Sequence, residues 1–101
     1  MINNKIIERI NKNEEIYNNL KKIIDSLSNN TEIFKYNIKD LIKLKKYYES
    51  KICLKDKDYY ENNKEIEVKA GILSEDTLWN FFEETDQIIN IMKLIIEEYE
   101  K

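Results

Sequence analysis

From Ile6 onward the apolar residues recur at alternating spacings of four and three: Ile6, Ile10, Tyr17, Leu20, Ile24 and Leu27, with Asn13 the polar member of the row. That spacing belongs to a helix that buries one stripe along its length. Ile7, Ile16 and Ile23 flank the row and widen it beyond a bare two-stranded seam. A stripe of that width suits a bundle, where each helix meets two neighbours.

The same phase runs on through Thr31, Phe34, Ile38, Leu41, Lys45 and Tyr48. Ser28-Asn29-Asn30-Thr31 interrupts it with residues that favour turns and caps. A single helix across the interruption would measure roughly 65–70 Å at a rise of about 1.5 Å per residue and would demand a partner along it. Asn37 with Asp40 three residues on offers a second helix start. The expectation is therefore a break between Asn29 and Asn37, with helices over 3–28 and 31–50.

Residues 51–70 carry no clear period. Lys55-Asp56-Lys57-Asp58 alternates in sign, and Glu65-Ile66-Glu67-Val68-Lys69 has the alternation of a strand with nothing to pair against. We expect an ordered connection there, with at most a short helical turn. It ends at Gly71, the single glycine of a chain that has no proline. Ser74 is placed to cap the following helix, Glu75 and Asp76 to favour its positive end, and Leu73 and Leu78 to form a hydrophobic staple across the cap. Leu78, Phe82, Thr85, Ile89, Met92, Ile96 and Tyr99 then keep the four-three spacing without a gap. The expected architecture is all-α: one domain over 1–101, an antiparallel three-helix bundle of 3–28, 31–50 and 74–99 with a long ordered connection between helices 2 and 3.

Composition narrows the function. No histidine is present, so the usual general base near neutrality and the commonest metal ligand are both missing. Cys53 stands alone between Ile52 and Leu54, which excludes an intramolecular disulfide and suits a reducing compartment. No glycine-rich phosphate loop occurs. The first twenty residues lack an unbroken apolar core, so neither a signal peptide nor a membrane anchor is expected, and a cytoplasmic location is. Charge is uneven: residues 1–50 sum to +3 and residues 51–101 to −6. Sixteen lysines accompany one arginine, Arg9, and the lysine group 39, 43, 45 and 46 reads as a solvated helix face rather than a nucleic-acid surface.

Leu44-x-x-Tyr47-Tyr48-Glu49-Ser50, followed some twenty residues later by Gly71-Ile72-Leu73-Ser74-Glu75-Asp76, resembles domain-of-unknown-function family 4298. Those small bacterial proteins read Leu-x-x-Tyr-Tyr-x-Ser and then Gly-Val-Leu-Ser-Glu-Asp, with Ile72 here in the valine position. The family's usual tryptophan after the first motif is replaced by Ile52-Cys53, and the proline of its connection is absent. The resemblance implies no activity.

The functional expectation is a non-enzymatic protein-binding module with no catalytic residue, metal or cofactor, acting through its acidic C-terminal half, for instance as an immunity or antitoxin-type inhibitor of a basic toxin domain. The alternative is a self-assembling coiled-coil structural or adaptor protein, with 6–48 as one helix. Tyr47, Glu75, Asp76, Trp79 and Glu83 are the candidate binding residues. Trp79 is expected to close the core beneath the connection, and only an exposed indole would make it an anchor for a partner. No nucleic-acid or membrane partner is expected.

Overall fold

The computed structural model describes residues 2–65, 70–74 and 76–101. Three α-helices and one turn of 3-10 helix account for most of them: α1 Asn4–Tyr48, α2 Lys51–Asn62, the 3-10 turn Gly71–Leu73, and α3 Thr77–Tyr99. The all-α class agrees with the periodicity; the helix boundaries do not all agree. By its internal contacts the chain divides into two units, residues 1–40 and 41–101, and the dividing point falls within α1.

The first unit holds α1 as far as Asp40. Asn3 caps it, its side-chain oxygen accepting from the amides of Lys5 at 3.0 Å and Ile6 at 3.2 Å. The expected break between Asn29 and Asn37 does not occur, because α1 is continuous for 45 residues. The residues of breaker type are satisfied by their own helix. Thr31 Oγ1 donates to the carbonyls of Leu27 (2.8 Å) and Ser28 (3.1 Å). Asn37 Nδ2 donates to the Ile33 carbonyl at 2.8 Å, and Asn13 Nδ2 to that of Arg9 at 2.9 Å. Such side chains compete with the ladder when they bond locally in other conformations; bonding back to the preceding turn removes the competition. With no proline or glycine in the stretch, nothing forces a stop.

The second unit holds everything else. Residues 51–62, expected as a connection, form α2, capped by Ser50. The face that α2 half-buries is Cys53, Lys57 and Tyr60, at spacings of four and three. A lysine in the middle of that face hides it from any hydrophobic count. Two amides close the helix, Asn62 Nδ2 on the Asp58 carbonyl at 3.0 Å and Asn63 Nδ2 on that of Tyr59 at 2.9 Å. The strand-like alternation of 65–69 lies, but for Glu65, outside the described residues.

The start of α3 is also corrected. Ser74 does not cap it: the helix begins at Thr77, after Asp76, whose side chain makes no capping bond. Ser74 instead ends the 3-10 turn with extended backbone, and its hydroxyl hydrogen-bonds that of Thr77. Gly71 has no positive φ, and a Cβ added there would meet nothing within 4 Å. Its glycine identity is not demanded by this conformation.

The core of the second unit is small. Among the described residues Leu78 and Phe82, one turn apart on α3, are its buried side chains at 4% and 8% exposure; they are the first two positions of the four-three row, whose later members Ile96 and Tyr99 are exposed. Phe82 meets Tyr48 at a ring-centroid distance of 5.4 Å and Phe81 at 5.3 Å, the latter edge to face.

Candidate interaction site

Two surfaces present recognition chemistry. The first is the stripe of α1. Ile6, Ile10, Tyr17, Leu20, Ile24 and Leu27 are between 42% and 59% exposed, and Ile7, Ile16 and Ile23 beside them are exposed as well. A row of isoleucine and leucine at this spacing is what a helix normally covers. Here it is open to solvent.

The second surface is the first two turns of α3. Asp76, Trp79 and Glu83 stand at spacings of three and four, so they share one face, and all three are exposed. Trp79 is 54% exposed, which corrects the expectation that it closes the core. The neighbouring Leu78 fills that role, one position earlier and so about 100° away round the helix. Glu75 lies outside the described residues. Exposed Glu84 and Asp86 add to the negative charge of the same segment.

Tyr47 does not join this face through its hydroxyl. It donates to Asp56 Oδ2 of α2 at 2.7 Å. The carboxylate holding that proton pushes the phenol up to about 12, aided by desolvation. Ser50 completes the corner, donating from Oγ to the Tyr47 carbonyl at 2.6 Å and accepting from the Cys53 amide at 3.3 Å. The named positions of Tyr47-Tyr48-x-Ser50 thus divide the corner among them. Tyr47 ties α2 to the end of α1, Tyr48 packs against Phe82, and Ser50 starts α2. Sequence reasoning missed Asp56 and the capping role of Ser50. A serine two residues before the apolar pair Ile52-Cys53 was the available signal for the cap; nothing local marks Asp56, nine residues from its partner.

Among the described residues no group of three or more metal-ligating side chains comes together, and no helix is long and apolar enough to cross a membrane. Cys53 is a free, half-buried thiol on the face of α2. The described residues form an all-α arrangement with exposed helix faces. The comparison with protein families agrees with the family that the sequence resembles. The chain belongs to DUF4298, a domain of unknown function, whose model matches residues 10–95. That span contains both motifs and most of the α1 stripe. No curated protein and no solved structure matches the chain.

Proposed function

We propose that this protein is a non-enzymatic interaction module of the cytoplasm that self-associates through the apolar stripe of α1. One observation carries the reading: α1 is uninterrupted, and its seam residues are about half exposed along 6–27. Isolated helices draw little stability from propensity alone and rely on covering an apolar face. Six seam residues and three flanking isoleucines are more apolar surface than a helix gains by leaving in water. Light scattering on the purified chain tests the proposal. Wild type should exceed the 12.3 kDa of one chain, and the double variant Leu20→Asp with Ile24→Asp should return to it. A wild-type monomer at high micromolar concentration sinks the reading. It would favour instead an intramolecular antiparallel three-helix bundle, with the same stripe turned inward.

A second reading rests on a different observation, the exposed Trp79 between Asp76 and Glu83. Tryptophan in an acidic setting suits a basic protein partner, with charge steering the encounter and the ring anchoring it. An immunity or antitoxin-type inhibitor would be of this kind. Binding to a basic partner should weaken with added salt and with Trp79→Ala. Retention of full affinity by that variant would remove the indole from the reading.

A further inference from the structure

We infer that the occupant of the α1 stripe is a second copy of α1, running parallel and in register over residues 6–38. This rests on the self-association reading and specifies its direction. In heptad notation the four-three spacing places Ile10, Ile24 and Ile38 at position a, and Leu20 and Leu27 at position d. Isoleucine at a with leucine at d is the combination that parallel two-stranded coiled coils prefer.

The polar members of the seam fit the same direction. Asn13 falls at d and Thr31 at a. In a parallel, in-register pair each meets its own counterpart, so a polar layer faces a polar layer and no amide is buried against isoleucine. The Asn13 amide already bonds within its own helix, to the Arg9 carbonyl at 2.9 Å. Covering it therefore removes less hydration than covering an unengaged amide.

Flanking charges discriminate between directions. In a parallel pair, position g of one helix faces position e of the next heptad on the other. Arg9 then lies opposite Glu14 of the second copy, twice by symmetry. Ile16 lies along the aliphatic stem of Lys21 of the second copy, which covers part of the extra stripe width while leaving the ammonium in water. The remaining facing positions set no like charges together. Antiparallel pairing can also align the seam, with Leu20 on Ile24 and Asn13 on Thr31. That register brings Lys21 against Lys21 of the other copy at the centre, a like-charge contact that the parallel form avoids.

Cross-linking of the full chain separates the directions. In a Cys53→Ser background, Ile6→Cys puts one thiol at one end of the stripe, and Ile38→Cys puts one at the other. In the parallel form each thiol sits across from its own copy. In the antiparallel form the two Ile6 positions are about 48 Å apart at roughly 1.5 Å per residue. Mild oxidation should convert most of each variant to a covalent dimer that reductant reverses, with helical circular dichroism unchanged. An oligomer by light scattering that cross-links at neither position overturns the inference and leaves self-association standing. A monomer by light scattering overturns both.

Discussion

The two units of this chain are held in different ways. In residues 41–101, side chains on separate elements meet one another, Tyr47 with Asp56 and Tyr48 with Phe82, and Ser50 caps α2 through the Cys53 amide. In residues 1–40, the polar side chains that bond at all do so within their own helix, Asn13 to Arg9 and Lys21 to Asp25 at 2.8 Å. One region carries its own tertiary specification. The other carries a helix and an exposed apolar face. The practical difference is that the second unit should respond to mutation in a concentration-independent manner, while the stability of α1 should rise with protein concentration.

The largest expected effect is at Phe82. Buried against Tyr48 and Phe81, it should lose about 3–5 kcal/mol of unfolding free energy on replacement by alanine, read by chemical denaturation. If that loss varied with protein concentration, the two regions would share one stabilising interface and the contrast would collapse. Next is Ser50→Ala, which removes the cap of α2 and should cost about 0.5–2 kcal/mol. Ser74→Ala, which removes no helix cap, should cost less than Ser50→Ala in the same assay; equal losses would restore the cap role to Ser74.

Tyr47→Phe comes third, at about 0.5–1 kcal/mol near neutrality, toward the lower part of the usual range because the bond is exposed. Its pH dependence has a definite sign. Folding raises the phenol from its ordinary value of 10.0 to about 12. The bond's contribution is therefore complete below pH 10 and disappears as pH climbs toward 12. Ultraviolet titration should show a phenolate step near pH 12 that the variant lacks. A wild-type curve identical to that of the variant would dissolve the Tyr47–Asp56 tie. The smallest effect is Gly71→Ala, which should be neutral or stabilise by about 0.4–1 kcal/mol by restricting the unfolded chain. A loss would mean that the glycine has a steric duty absent from this conformation.

Much of the fold is legible in the sequence because period is a long-range signal. The stripes of α1 and α3 are both visible as periodic rows, and spacing assigns Leu78, Phe82 and Tyr48 inward, although it assigns Ile96 and Tyr99 inward as well and these are exposed. A break in α1 is wrongly expected when turn-forming residues are weighed by type. What decides is where the hydroxyl of Thr31 and the amide of Asn37 find an acceptor, and the preceding turn supplies one. α2 escapes notice for the opposite reason: its half-buried face has lysine at its centre, and the Tyr47–Asp56 hydrogen bond that ties it to α1 spans nine residues of sequence. The candidate site is half legible. Asp76, Trp79 and Glu83 do share an exposed face, whereas Tyr47 is spent on the corner. Spacing does not decide which way Trp79 faces, because a large aromatic beside Leu78 could equally fill the core; one step of about 100° separates the outcomes.

That step has a use. Trp79 is the only indole in the chain, and it stands in water on α3, whereas the stripe of α1 contains tyrosine and no tryptophan. Its emission is consequently a native optical gauge of one surface. Association that covers the first turns of α3 would shift the spectrum to the blue and shield the ring from iodide. Any partner can thus be assigned to one face or the other in unlabelled wild-type protein.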